Sequence, residues 1–297
     1  MPIAEPLIEA FHARTPIRAG SLIVTVFGDA VAPRGGELSL ASLVEVMAAV
    51  RVGPGVVRTA LSRLVKEDWF ARQRTGRSSF YRLSAQGRAA FEAATEKIYR
   101  PTRHRWDGTF AMVLLDQGGE RAGARAALER LGFGAVSPEF LIAPTDLAGV
   151  RVDNGVRLHG RPVEPDAARR LAERAWPIAG LAERYRSFVD LFAPPARRLD
   201  AGEPIADLDA LLVRVLLIHE YRRIVLRDPL LPPELLPAPW IGTEARQLCG
   251  SIYRAVIKGA ERWLDAHATS EAGALPPPEA SFAGRFSDLR DTVEAAG

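Results

Sequence analysis

The chain has one cysteine, Cys249, and only three lysines in 297 residues. A lone thiol cannot form an internal disulfide, which fits a reducing cytoplasm. The five histidines are scattered at 12, 104, 159, 219 and 267, so no clustered metal-ligand set is expected. No apolar run reaches the roughly 18 residues of a membrane-spanning helix. The start, Met-Pro-Ile-Ala-Glu-Pro-Leu-Ile-Glu, lacks the basic flank and apolar centre of a secretory leader, and the expected location is the cytoplasm. Catalytic constellations are missing too. There is no Ser/His/Asp order, no Cys/His pair and no phosphate-cradling glycine loop. Gly132-Phe133-Gly134 lacks a third glycine and follows no strand. His219-Glu-Tyr-Arg-Arg223 opens like a zinc-protease motif, but an arginine stands where the second histidine must be, and a cation there repels a metal. Neither an enzyme nor a resident cofactor is expected.

The composition is that of a folded protein. It is 47% hydrophobic and 25% charged, enough apolar material for a core. The length predicts two or three domains. Net charge is only +3, and its distribution is uneven. Residues 51 to 105 carry thirteen Lys/Arg against four Asp/Glu, a local excess of nine that leaves the rest of the chain net negative. Basicity gathered in one place is the electrostatic footprint of a polyanion site.

That basic stretch has a recognisable pattern. Pro54 can open a helix, where no backbone donor is needed. Val57, Ala60, Leu61 and Leu64 recur at helical spacing and define an apolar face. Arg58, Thr59, Ser62, Arg63 and Lys66 fall largely on the other side. Two short alternating segments follow, hinged on Thr75-Gly76, with Arg74 and Arg77 at the tip. Upstream lie an apolar helix over 21–31, the breaker Ala32-Pro-Arg-Gly-Gly36, and a helix over 40–50 capped by Ser39. Downstream, Ser84 caps a helix towards Tyr99. Three helices, a two-stranded wing and a linker helix make the order of a winged helix-turn-helix, which sets a helix in the major groove and a wing tip on phosphate or in the minor groove.

Thr109–Asp116 reads as a buried strand and Glu120–Leu131 as an amphipathic helix. Short strands are expected at 140–143, 150–152 and 156–163, which suggests a ferredoxin-like α/β module. Helices are predicted at 166–176, 181–191 (ended by Pro194-Pro195), 208–226 and 244–266, with a proline-rich elbow over 231–240. The last thirty residues read as frayed. The expected fold class is therefore α+β and multidomain. A loose arm occupies 1–17, a winged helix with linker helix 18–100, a ferredoxin-like module 101–170, and an α-helical domain 171–297.

Two further features stay open. In helix 208–226 the buried stripe of Leu212, Val215, Leu216 and Leu226 is interrupted by His219, Arg222 and Arg223. Polar groups on such a stripe are either paired, here with Glu220 or Asp228, or line a cavity for an anionic ligand. Asp116, at a strand end, is ordinary turn chemistry or one half of a metal site shared across a dimer. The second option makes a metal-dependent nuclease the alternative function. A third possibility is a sensor in which the winged helix serves as a protein interface.

Several motifs together resemble a known family. These are Ser21-Leu-Ile-Val-Thr-Val-Phe-Gly-Asp29, Ala32–Gly36, Val57–Leu64, Gly76-Arg-Ser-Ser-Phe-Tyr-Arg-Leu83, Trp106-Asp-Gly, His219–Pro229 and Leu235-Leu-Pro-Ala-Pro-Trp240. In this order they are similar to the PaaX-like repressors of phenylacetate catabolism, over residues 18 to about 265. The resemblance implies a cytoplasmic, dimeric transcription regulator on a palindromic operator in double-stranded DNA. It also implies a middle module like the ferredoxin-like (Cas2-like) fold. It implies as effector an aryl-acetyl-CoA thioester, typically phenylacetyl-CoA, that releases the DNA. His219, Tyr221, Arg222, Arg223, Arg227 and Trp240 are of suitable type for that ligand.

Overall fold

The structure is a computed structural model that describes residues 1–14, 18–101, 105–118, 121–144, 152, 155–164 and 166–289. In chain order the elements begin with α1 (Glu5–His12), α2 (Ala19–Val26), a π-helical turn (Phe27–Val31) and β1 (Glu37–Ser39). These are followed by α3 (Leu40–Ala49), α4 (Pro54–Lys66), β2 (Phe70–Thr75), β3 (Ser78–Leu83) and α5 (Ala85–Tyr99). Next come β4 (Phe110–Leu115), α6 (Arg121–Arg130), β5 (Gly134–Ala135), β6 (Phe140–Ala143), β7 (Gly155–Gly160) and α7 (Ala167–Ala175). The chain continues through α8 (Ile178–Asp200), α9 (Asp207–Val225), α10 (Ile241–His267), β8 (Thr269–Ser270) and β9 (Gly273–Ala274). The mixed α and β content agrees with the sequence. The strand expected at 150–152 lies almost wholly outside the described residues.

The chain forms two compact units. The first comprises Met1–Pro101, Ser187–Leu226 and Glu244–Gly297, and the second Thr102–Arg186 and Arg227–Thr243. The helical region 171–297 is thus not a domain of its own, because its helices are divided between the two units.

In the second unit β4 is central to a four-stranded antiparallel sheet of order β5-β6-β4-β7. One face carries Val113, Leu115, Leu128 and Phe133. A second cluster joins Phe110 and Ile142 to Ala172 and Trp176, and to Leu231, Leu235 and Leu236 of the proline-rich elbow.

In the first unit a three-stranded sheet of order β1-β3-β2 follows the helices. The predicted caps form: Ser39 Oγ accepts from Ser42 N at 3.1 Å, and Ser84 Oγ from Gly87 N at 2.9 Å. α9 is buried on all sides from Ala210 to Tyr221 rather than along one stripe. A helix apolar all round must be enclosed by other elements, and here α1, α2 and α5 pack on it.

Three expectations are corrected in this unit. The loose arm expected over 1–17 is not what residues 1–14, the described part of it, form. Pro6 falls in the first turn of α1, where it does no harm, and Leu7, Ile8 and Phe11 are buried. The amides of Ile3 and Ala4 donate to the Asp209 carboxylate at 2.7 and 3.0 Å. Second, α8 does not stop before Pro194-Pro195 but runs through both to Asp200. Phe192 and Ala196 stay buried on its inner face, and that packing outweighs the local cost of proline. Third, the C-terminal stretch is ordered through residue 289, with Phe286 wholly buried. Its ring meets those of Tyr99 and Tyr253 at 5.3 and 5.5 Å.

A buried carboxylate lies at the centre of this packing. Asp29 accepts from Tyr99 Oη (2.6 Å), Tyr253 Oη (3.1 Å), Arg214 Nε (2.6 Å) and Arg285 Nη1 (2.8 Å). Burial opposes its charge, but Arg214, Arg285 and the Tyr99 hydroxyl outweigh that and hold the carboxyl below its ordinary range. Asp29→Asn leaves two buried guanidinium groups short of countercharge and should cost about 3–5 kcal/mol in urea unfolding. A loss near zero would show that the cluster does not hold the unit together.

His219 is the second buried ionisable group with a clear consequence. Its Nδ1 lies 3.0 Å from Thr25 Oγ1, and its ring stands edge-on to Phe11. Burial, followed by Arg222, Arg223 and Arg14, pushes its pKa down to about 3. Between pH ~6.5 and that value the unfolded chain takes up a proton that the folded chain refuses, so stability falls on acidification. The unfolding free energy should decline between pH 6.5 and 4.5, with His219 contributing at most ~1.4 kcal/mol per pH unit, and His219→Gln should flatten the decline. Equal slopes in both proteins would place the acid sensitivity elsewhere.

Candidate nucleic-acid interface

α4 turns Val57, Leu61 and Leu64 inward, against α2, α3 and β2. Arg58, Thr59, Ser62, Arg63 and Lys66 are all exposed. The helix begins at Gly53-Pro54-Gly55, with no side-chain cap and open space over both glycines. Its first backbone donors are therefore accessible, and such an end favours an anion. Arg63 Nε donates to Glu67 Oε1 at 2.7 Å, and Thr59 Oγ1 to Gly55 O at 3.0 Å. Arg63 must exchange its Glu67 partner for any outside acceptor. Val56, 52% exposed on the same helix, escaped the sequence reading because it lies off the apolar stripe. It offers a methyl-bearing surface among polar neighbours.

β2 and β3 form a hairpin closed by the pair Thr75↔Ser78. Gly76 takes φ +59° at the first loop position, which suits a type II′ turn. Arg74 and Arg77 are exposed at the tip. Arg72 is exposed beside them, with Nη2 3.1 Å from Ser79 Oγ. The hairpin is braced from far along the chain. Glu271, in the turn between β8 and β9, accepts from Gln73 Nε2 at 2.7 Å and from Thr75 Oγ1 at 2.5 Å. Its own amide donates to Glu37 Oε1 at 2.9 Å. No local pattern announces a contact that spans 196 positions.

The residues suggested for an effector do not share one environment. His219 and Arg222 meet at the Thr25 hydroxyl, to which Arg222 Nη1 donates at 2.9 Å. Tyr221 is buried against Phe188 and Phe286. Arg223 is exposed and 3.5 Å from Glu220, which also pairs with Arg14. Arg227 and Trp240 belong to the second unit. There Trp240 stands edge-on to Tyr185, whose hydroxyl donates to Asp228 at 2.7 Å. Of the two partners considered for the polar stripe, Glu220 is engaged by arginines and Asp228 by Tyr185.

Asp116 is exposed just after β4. Among the described residues no group of three or more His, Cys, Asp and Glu could hold a metal ion, and no helix is long and apolar enough to cross a membrane. The Cys249 thiol is buried, and burial pushes its pKa up, so it behaves as a packed apolar group.

Comparison with known proteins gives a consistent result. Residues 18–87 match the family described as PaaX-like protein, and residues 176–266 match the PaaX-like protein C-terminal domain. The chain is 36% identical over 296 residues to the transcriptional repressor PaaX of Escherichia coli (strain K12), covering 94% of this chain and 93% of that protein. Among solved structures it is similar to the uncharacterized protein Rv0674 from Mycobacterium tuberculosis. The TM-score is 0.49 and the identity 24%, over 74% of this chain and 89% of that one. With its exposed basic helix and hairpin and its match to that relative along nearly the whole length, the chain belongs to the PaaX-like family, a family of transcription regulators rather than enzymes.

Proposed function

We propose that the chain is a sequence-specific DNA-binding repressor of an aromatic, phenylacetate-type catabolic operon, released from its operator by an aryl-acetyl-CoA thioester. One observation carries the DNA-binding half: all seven residues picked out from sequence on α4 and the hairpin are solvent-exposed, while Val57, Leu61 and Leu64 on the opposite face of α4 are buried. In this reading α2, α3 and α4 with the β1-β3-β2 sheet are a winged helix-turn-helix. α4 enters the major groove, where Arg58, Thr59, Ser62 and Arg63 reach base edges or adjacent phosphates. Lys66, Arg74 and Arg77 neutralise backbone phosphates and release counterions. The antiparallel order β5-β6-β4-β7, with α6 following β4, supports a ferredoxin-like reading of the second unit. Two copies on a palindrome account for a half-site spacing of one or more helical turns. The protein works in the cytoplasm in this reading.

Release by a ligand requires that the ligand bind the DNA-incompetent form more tightly, since equal affinity shifts nothing. Family membership and the arginine-rich end of α9 support the choice of a thioester. No feature favours the nuclease reading over ordinary turn chemistry at Asp116.

Fluorescence anisotropy at fixed salt on DNA from upstream of the protein's own operon tests both halves. Tight binding reversed by phenylacetyl-CoA, but not by phenylacetate or coenzyme A, is the expected result. Affinity no better than for random DNA under these conditions would count against that operator. Arg63→Ala should cost roughly 1–3 kcal/mol and relax discrimination at one base position. Arg77→Ala should weaken all sequences alike and lower the salt slope by about one. Uniform weakening by Arg63→Ala would reassign that side chain to phosphate.

A further inference from the structure

The first unit holds a partly open cavity of about 120 Å³ lined by α2, the π-helical turn, Trp69, α5 and α9. Most of its wall is apolar: Val24, Trp69, Phe91, Ile98, Ile218 and Leu226. The volume approaches the roughly 150 Å³ of apolar protein cavities that admit benzene. Thr25, Thr95 and Arg222 supply polar groups, together with Asp29 and Tyr99 of the buried cluster.

Arg222 is the unusual member. The buried arginines of this unit each meet a carboxylate: Arg34 pairs with Glu261 and Asp265, Arg214 with Asp29 and Glu261, Arg246 with Asp288, and Arg285 with Asp29. Arg222 donates through Nη1 to Ser21 O at 3.1 Å and to Thr25 Oγ1 at 2.9 Å, both neutral acceptors. Among the described residues no carboxylate lies within ion-pair distance of it. Burial, and more weakly Arg223, disfavours its charge, against the partial support of Tyr99. The C-terminal end of α9 favours a cation, but such a terminus offsets only part of the cost of desolvating one. A half-buried guanidinium beside an apolar cavity, with only neutral partners, is what an incoming oxygen acceptor would complete.

The cavity is also built into the elements that hold the hairpin. Trp69 immediately precedes β2, and its carbonyl accepts from Ser84 N, the cap of α5, at 3.1 Å. Phe91 of α5 lies against Gly28, so closely that a Cβ there would sit 2.6 Å from its ring. Trp69 and Phe91 meet edge-on at 6.0 Å. An adjoining, more polar cleft of about 420 Å³ shares Gly28, Phe91 and Thr95 with the cavity and mixes both charges, Arg88 and Arg100 with Glu92, Glu96 and Glu279.

We infer that this cavity is the effector site. It takes the apolar end of an acyl ligand, about one aryl ring in size, with the ligand's carbonyl or carboxylate oxygen on Arg222 and any polar extension along the adjoining cleft. The inference deepens the reading of the chain as an effector-controlled repressor and rests on it for the consequence of binding. An occupant that needs more room than the empty cavity displaces Trp69 and Phe91, and with them the seat of the hairpin. Ligand binding and the DNA-competent packing then compete, which is the differential affinity that release requires.

The test is calorimetric titration of the full chain with phenylacetyl-CoA and, separately, with phenylacetate, alongside operator anisotropy without ligand. The two arms distinguish a thioester carbonyl from a free carboxylate as the group on Arg222. Ala94→Phe fills the cavity from α5, and Arg222→Gln removes the cation. Each should weaken the binding ligand roughly tenfold to a hundredfold, the range of a lost charge-assisted contact, and leave operator affinity close to wild type. Should Ala94→Phe fail to fold, Thr25→Val replaces it, removing a polar wall group at nearly constant volume. Wild-type ligand affinity in the folded variants overturns the site, and so does a wild-type chain that binds neither compound. Ligand binding lost in the variants, in a chain that recognises no operator, keeps the site and removes the repressor reading instead.

Discussion

Asp29 draws together parts of the chain that are remote in sequence. Its two oxygens serve α5 through Tyr99, α9 through Arg214, α10 through Tyr253 and the C-terminal stretch through Arg285. A carboxylate fully removed from water is tolerable only with such company, because desolvation opposes each charge and every lone pair must be met. The arrangement is reciprocal. Arg214 and Arg285 are buried as well; Asp29 is the chief support of the charge on Arg214, and it supports that on Arg285 after Tyr253 and Tyr99. A side chain that satisfies four elements at once fixes their relative positions more sharply than apolar contact, which is non-directional. Glu261 extends the network by pairing with Arg214 and Arg34.

This constraint bears on the surface proposed above to read DNA. Asp29 lies in the π-helical turn that prolongs α2, and α2 supports α4. α4 therefore stands on an element clamped by α9 and α10. Its outward groups need no buried partner and are left to solvent. The hairpin receives its support from Trp69 on one side and from Glu271 on the other.

Much of this was legible in the sequence, for definable reasons. The α4 face, the two serine caps and the Gly76 hinge are local features whose periodicity or backbone demand is visible within a few residues. The order of short motifs carried the family. What was missed is non-local. α1 read as a loose arm because Pro2 and Pro6 suggest disorder, whereas its order comes from Asp209 and the burial of Phe11. Pro194-Pro195 read as a terminus because the burial of Phe192 and Ala196 cannot be known beforehand. The C-terminal stretch, rich in Ala and Pro, read as frayed because Arg285 and Phe286 show their value only once Asp29 and Tyr99 are in place. At the site the basic residues were visible as a type, while Val56, Trp69, Phe91 and Glu271 became visible only through packing. The polar stripe of α9 was recognised, but its partner Thr25, 194 positions away, could not be named.

The discontinuity of the first unit bears on how the protein comes into being. Its core contains Ile3 and Phe286, so the unit that carries α4 and the hairpin is closed by residues far apart in sequence. Synthesis is vectorial, and domains ordinarily fold as they emerge. Here Arg285 is made 256 residues after Asp29, and until it arrives Asp29 lacks one of its two arginines. A nascent chain that has not reached Arg285 thus carries the basic helix without its completed support, and so does a chain cut short before it.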